Sequence, residues 1–285
     1  KGAKKQRRKG EPILSILSSD ASWFNRPALI TGGGTGIGRG IVLAFARRGA
    51  PVVLVGRRNE PLQAVAAEVR ALGGQAAVAP GDITDPHARL DILNMAREAF
   101  GAIGVLVNNA GVLASGSLLQ LNGPEIERAV ATNLLAPIDL TRLVLSDLMY
   151  TRGAVVFLGS TTSYVPLPYA ALYSATKGGL HAFCAALRYE LAPLGVHVLE
   201  AHPPTVDTAM TANMARRAGA WQGRRCSAEA AGERIVAALA AGKQQVQWGW
   251  GERLLIALHR CAPRLSAALL GTQRRRFAHV MTPEE

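Results

Sequence analysis

Between Pro27 and Gly49 a short apolar run, Ala28-Leu29-Ile30, meets five glycines in seven residues, Gly32 to Gly38. Ile41, Val42 and Phe45 then recur at helical spacing up to Gly49. A second apolar run, Pro51-Val52-Val53-Leu54-Val55, follows at once. A flexible linker has glycines but not these flanks. Strand, glycine turn, helix and strand in this order predict a crossover unit of a parallel sheet. Gly32 and Gly36 let the backbone turn tightly and approach a pyrophosphate, and Gly38 lets the helix lie close to its strand. The helix N-terminus offers unpaired N–H groups to phosphate.

The end of the second strand bears on which dinucleotide fits. An acidic residue there grips a ribose 2′-hydroxyl, as in NAD(H), whereas arginine accommodates the 2′-phosphate of NADP(H). The chain has Gly56-Arg57-Arg58 and no carboxylate before Glu60. Two guanidiniums suit a phosphate dianion, because each donates paired hydrogen bonds. The competing reading is a pair of solvated surface arginines. The placement favours NADP(H) over NAD(H).

A second constellation carries proton chemistry. Tyr173 and Lys177 stand four residues apart and so share a helix face. Tyrosine's reference pKa of about 10 is too high for a good base near neutrality, and a nearby ammonium is expected to pull it down. Ser160 ends the apolar run Ala154 to Gly159, where a strand runs out and ligands of open α/β sheets bind. Its hydroxyl can hydrogen-bond a substrate oxygen as charge develops there. Asn133, in a helical stretch from Glu125 to Leu145, is expected to hold a water that passes the proton onward.

With Asp82 in Gly-Asp-Ile-Thr-Asp and Asn108-Asn109-Ala110-Gly111, these motifs resemble the short-chain dehydrogenase/reductase family from roughly Pro27 to Trp248. The resemblance implies catalytic roles for Asn133, Ser160, Tyr173 and Lys177. It implies cofactor contacts at Thr31, Gly32, Thr35, Gly36, Ile37, Gly38, Arg57, Arg58, Asp82, Ile83, Asn109, Ala110, Gly111, Tyr173, Lys177, Pro203, Val206 and Thr208. In that family Asp82 would meet the adenine, Asn108 to Gly111 would support the central sheet, and Lys177 would also hold the nicotinamide ribose. The helices around Asn133 and Tyr173 would pair subunits into a homodimer or homotetramer. One departure stands out: Pro204 follows Pro203 where the family usually has glycine, which removes an N–H and reshapes the pocket floor. Some lipid-chain ketone reductases of the family share this Pro-Pro, a hint of a long apolar substrate.

The apolar runs, mostly continuous rather than alternating, imply strands covered on both faces. The expected fold is α/β, a Rossmann-type doubly wound parallel sheet of about seven strands ending near Gln245 to Trp248, with a short C-terminal helical extension. A chain of 285 residues, 49% hydrophobic, can bury one such core. The expected divisions are a basic flexible segment at 1–25, the catalytic domain at 26–250 and a basic amphipathic extension at 251–285. Six lysines and arginines crowd the first ten residues, and Arg253, Arg260, Arg264, Arg274, Arg275 and Arg276 mark the extension. Such ends can make a weak contact with an anionic membrane, although packing on the subunit is the commoner use of an amphipathic helix.

Leu254, Leu258 and Leu265, with Met210, Met214 and Trp221 of the preceding loop, are expected to cover an apolar substrate, and Pro263 to split the extension into two helices. Cys184, Cys226 and Cys261 have no paired spacing, so neither a zinc site nor a redox pair is expected, and their scatter suits a reducing cytoplasm. His181 and His197 read as packing or surface residues. No membrane span, secretory signal or nucleic-acid motif is expected. The sequence therefore reads as an oxidoreductase passing hydride between NADP(H) and an apolar ketone, aldehyde or secondary alcohol. A reductase of lipid-chain ketones working at a membrane, and a non-catalytic nucleotide-sensing scaffold, are the alternatives.

Overall fold

The structure, a computed structural model, describes residues 21–208, 210–212 and 225–281. The basic N-terminal segment up to residue 20, and Met214 and Trp221, lie outside them. Each apolar run forms a strand: β1 (Ala28–Thr31), β2 (Val52–Gly56), β3 (Ala76–Pro80), β4 (Val105–Asn108), β5 (Ala154–Leu158) and β6 (His197–His202). Short strands β7 (Thr205–Val206) and β8 (Arg225–Cys226) pair separately, and β9 (Gln245–Gln247) closes the main sheet.

The seven main strands run parallel in the order β3-β2-β1-β4-β5-β6-β9. Chain direction across the sheet reverses between β1 and β4. A crevice opens there beyond the carboxyl ends of the strands, the usual ligand position in such sheets.

Helices cover both faces, as the unbroken apolar strands require. One layer holds α1 (Gly36–Ala46), α2 (Asn59–Ala71) and α8 (Ala228–Ala240), whose Ile41, Phe45, Leu62, Ile235 and Leu239 pack over Ile30 and Leu54. The other holds α3 (Pro86–Phe100), α5 (Ala136–Leu143), α6 (Leu145–Thr151) and α7 (Ala171–Leu191), with Ile92, Leu140, Leu148 and Leu180 over Leu29 and Phe157. The backbones of α1 and α8 meet at Gly40 and Gly232, where a Cβ on either residue would overlap the facing main chain.

Ahead of α5, α4 (Gly123–Val130) passes through a π turn at Ala131–Leu135. The extension forms three helices where two were expected: α9 (Trp250–Cys261), α10 (Pro263–Thr272) and α11 (Arg274–Met281). Pro263 does open a new helix, bent 119° from α9, and Gln273 marks a further break. Among the described residues no single helix is long and apolar enough to cross a membrane.

Candidate active site

A cavity of about 1370 Å³ fills the crevice. The glycine turn lines one end, with Gly32 and Gly36 at φ +68° and +53°, a region open to glycine at little steric cost. Gly38 lies flush against the turn, since a Cβ there would overlap the carbonyl of Gly32. Thr35 precedes α1 without capping it by its side chain, and the first turn of α1 contains no acid. The helix N-terminus therefore still offers N–H groups to an anion.

Thr31 and Asn109 hold this end in place. The Thr31 hydroxyl donates to the Val107 carbonyl at 3.2 Å and accepts from the N–H groups of Asn109 and Ala110, each at 3.0 Å. The Asn109 amide donates to the Thr31 carbonyl at 2.8 Å. Arg57 and Arg58 line the cavity at the end of β2 and are exposed. One oxygen of Asp82 accepts from the N–H and hydroxyl of Thr84, while the other stands 3.8 Å from the Arg57 guanidinium. Ile83, Asn109, Ala110 and Gly111 line this wall, and Pro203, Pro204, Val206 and Thr208 line the cavity as well. These residues fit a dinucleotide: the glycines of the turn put no side chain in the way of a pyrophosphate, and the exposed Arg57 and Arg58 line the cavity at the β2 end.

Ser160, Tyr173 and Lys177 converge in the middle of the cavity. Ser160 follows β5, where its hydroxyl accepts from the Thr162 N–H at 3.2 Å and hydrogen-bonds Tyr173. Tyr173 lies in the first turn of α7, and Lys177 Nζ is 5.9 Å from the centre of its ring.

One expectation about this group needs correction. Burial raises the Tyr173 pKa, and the offsetting influence is the Ser160 hydrogen bond rather than the lysine. Lys177 Nζ instead donates to the Leu158 carbonyl at 2.7 Å, and burial brings its own pKa down to about 8. The Asn133 side chain is engaged by protein partners, which leaves only its main chain for the water expected there. Its oxygen accepts from the Val112 N–H at 2.8 Å, and its nitrogen donates to the Val112 carbonyl at 2.9 Å and Thr176 Oγ1 at 3.2 Å. Asn133 sits inside the π turn, and four residues on, Pro137 has no N–H to give its main-chain carbonyl.

The far end of the cavity comes from the extension. Leu255 and Leu258 of α9, Leu269 and Leu270 of α10, and Phe277 and Val280 of α11 line it, with Met210 and Trp250. Leu258 and Met210 thus sit where the sequence suggested. Leu254 and Leu265 do not; they point outward, 59% and 53% exposed. Leu254 and Leu258 share one helix and Leu265 lies on the next, beyond the 119° bend at Pro263, so the three do not present one continuous face to the cavity.

A parallel doubly wound sheet, a glycine turn opening α1 and a serine–tyrosine–lysine group at the switch point define a dinucleotide-dependent oxidoreductase. The chain belongs to the short chain dehydrogenase family, whose model matches residues 26–219. It is 33% identical over 195 residues to the ketoacyl reductase HetN of Nostoc sp., covering 66% of this chain and 68% of that protein. It is 30% identical over 189 residues to an uncharacterized oxidoreductase of Staphylococcus aureus, covering 66% and 81%. Among solved structures it resembles a variant actinorhodin polyketide ketoreductase with NADPH, at TM-score 0.71 and 27% identity over 77% of this chain and 94% of that one. A short-chain dehydrogenase from Sphingobium yanoikuyae in complex with NADPH gives TM-score 0.72 and 27% identity over 87% and 95%. The protein is accordingly an oxidoreductase of the CH–OH/C=O type that uses a nicotinamide cofactor.

Proposed function

We propose that the protein is an NADP(H)-dependent reductase of elongated, apolar ketones. One observation carries this reading: Ser160, Tyr173 and Lys177 face a single cavity that runs from Arg57 and Arg58 to a wall of leucine and phenylalanine from the C-terminal helices. Bound NADPH supplies the hydride. The chain's own residues do the rest: the Ser160 hydroxyl donates to the substrate oxygen, and Tyr173, kept protonated by its burial, delivers a proton to that oxygen. Lys177 Nζ, 5.9 Å from the centre of the Tyr173 ring, is the next ionisable group on the path that restores the proton, and the Asn133 main chain, four residues before Pro137, is where a relay water would sit. Arg57 and Arg58 support the choice of NADP(H), and the two neighbours solved with NADPH agree with it.

The test is turnover of a ladder of methyl ketones with NADPH and NADH. The reading requires NADPH to win and efficiency to rise with chain length. Equal use of both cofactors would remove the first half, and indifference to chain length the second. A scaffold that only senses the nucleotide would bind NADPH and turn over nothing.

We also propose a homodimer or homotetramer in the cytoplasm, with the helices around Asn133 and Tyr173 at the interface. Leu140 is buried in the protein's own core and Leu134, Leu143 and Leu145 pack against it, but Leu135 is 56% exposed. A monomeric mass by light scattering at micromolar concentration would refute this assembly. One surface favours a variant of the reading in which the enzyme works on lipid-chain ketones at a membrane. Trp250, Leu254, Leu265 and Leu269 are exposed among Arg253 and Arg264, which suits an anionic bilayer. Co-sedimentation with phosphatidylglycerol vesicles, absent with phosphatidylcholine alone, is the expected result for that variant.

A further inference from the structure

Behind Ser160, four side chains that do not line the cavity form a continuous hydrogen-bonded set: Tyr164, His181, Glu200 and His202. Glu200 is fully buried in β6, so its charge must be answered nearby. Its Oε2 accepts from His181 Nδ1 at 2.9 Å and from the Arg188 guanidinium at 3.5 Å, and His202 Nε2 is also 3.5 Å away. His202 ends β6 and is 1% exposed. The Tyr164 hydroxyl lies 3.0 Å from His202 Nε2, and the Tyr164 ring packs against both imidazoles. On the ring's other approach stands the guanidinium of Arg260, 5.1 Å from the ring centre, contributed by α9.

The other nitrogen of His202 reaches the catalytic serine. Nδ1 is 3.1 Å from the Ser160 carbonyl, which can only accept, so Nδ1 carries a hydrogen and donates. Gly159 makes room for the imidazole, since a Cβ there would stand 2.7 Å from Nδ1. The same carbonyl accepts from the Ser163 N–H at 3.0 Å, and the Ser160 hydroxyl accepts from the Thr162 N–H. Residue 160 is thereby held at both its main chain and its side chain.

His181, Glu200 and His202 also have the composition of a divalent-metal site, with ligand atoms within 4.8 Å of one another. The charges argue against that use. A single carboxylate already accepts from Arg188 and His181, with Arg260 close by, so a divalent ion would bring excess positive charge into a buried region.

We propose that His202 is a positioning residue for Ser160, clamping its carbonyl from behind, and that Tyr164 links this clamp to Arg260 of the C-terminal helices. The proposal rests on the role given to Ser160 above. The extension then does two things: its apolar side walls the cavity, and its arginine steadies the histidine that aims the serine. A displacement of about 1 Å at a reacting group can cost up to ~100-fold in rate, so a clamp of this kind is visible in turnover.

The test uses the full chain with NADPH and methyl ketones from 2-butanone to 2-tetradecanone, scored on the best substrate, together with NADPH affinity and melting temperature. His202→Phe should lower kcat by roughly 10- to 100-fold while leaving NADPH affinity near that of the parent, with a lower melting temperature because Glu200 and Tyr164 each lose a buried partner. His202→Asn, whose Nδ2 takes the place of the imidazole Nδ1, should recover to within about threefold of the parent, whereas His202→Gln should not. Tyr164→Phe and Arg260→Gln should each cost about threefold, and no more when combined, because they act along one path. Nitrogen NMR of the imidazole gives a readout that needs no substrate: Nδ1 of His202 should be protonated.

An unprotonated Nδ1 overturns the proposal, as does equal impairment of the Asn and Phe variants, which would reduce His202 to packing. Ser160→Ala separates the two levels of the argument. Full activity in that variant defeats the reading of the site itself. Loss of activity there, with full activity in His202→Phe, defeats only the positioning role.

Discussion

The two ends of the cavity are built from different materials. At the nucleotide end the shape comes from the main chain: two glycines at positive φ, a third with no room for a Cβ, and Thr31 and Asn109 tying β1 to β4 by hydrogen bonds. At the far end the shape comes from side chains of α9, α10 and α11, and the backbone there only carries them. Main-chain shape tolerates few residue types, whereas a greasy wall accepts many leucines, methionines or phenylalanines of similar volume. The first end therefore suits a ligand that never changes, and the second can be retuned without disturbing it.

Several measurements can break or sharpen this contrast. The largest effect is expected between the two ends. Tyr173→Phe keeps the ring and the cavity but removes the proton, so turnover should fall at least ~100-fold with NADPH affinity retained. Near-normal turnover would sink the mechanism.

Next comes Gly38→Ala against Leu270→Ala. The first adds a methyl group where the Gly32 carbonyl already stands, and overpacking should cost up to about 3 kcal/mol of stability along with NADPH binding. The second, at the partly exposed far wall, should spare NADPH affinity and affect only long ketones. Equal effects on the cofactor would erase the distinction between the ends.

An acid titration probes the support behind both. Glu200 has its pKa lowered to about 2 despite burial, through hydrogen bonds from His181 and His202. A carboxylate depressed in the folded state lends stability that is fully present above its ordinary value and is lost as pH falls toward 2. About 3 kcal/mol is at stake, and Glu200→Gln should flatten the acid limb of the stability curve. An unchanged limb would show that other groups govern it.

Replacing Arg57 and Arg58 together with alanine should weaken NADPH by about 2 kcal/mol and barely touch NADH. Equal losses would show that the arginines act elsewhere. The smallest effect is the finest probe of the far end. Each added methylene of a ketone should contribute about 0.8 kcal/mol to transition-state binding, and Phe277→Ala should lower that slope.

The same contrast explains what could be read in advance. The sheet, its order of elements and the nucleotide end were legible because glycines, Thr31 and the apolar runs each admit few physical uses. Ser160, Tyr173 and Lys177 were legible by spacing, but the state of the lysine was not, because its partner is a main-chain carbonyl that no residue type announces. The partners of the Asn133 amide, the backbone of Val112 and the Thr176 hydroxyl, were hidden as well, since nothing in the local spacing names them. The contact between Gly40 and Gly232 joins residues far apart in the chain and left no local trace. Glu200 did leave one: a carboxylate inside the apolar strand Val198-Leu199-Glu200-Ala201 demands a buried partner, but its spacing does not say that His181, read as a packing or surface residue, and His202 supply it. The lining of the far end stayed hidden because bends at Pro263 and Gln273 decide which leucines face inward.

The π turn around Asn133 has a consequence for how this fold can change. One additional residue in a helix advances its angular phase by about 100°, so every side chain beyond it is clocked to the bulge. Leu140 enters the core, and Thr141 meets the Asn108 amide, only at that phase. Deleting a single residue from Ala131–Leu135 would straighten the helix and swing Leu140 and Thr141 off their places together. The irregularity that frames Asn133 and the regular packing downstream are therefore one inheritance, and an insertion or deletion in this helix is filtered by the core before it is ever tested on a substrate.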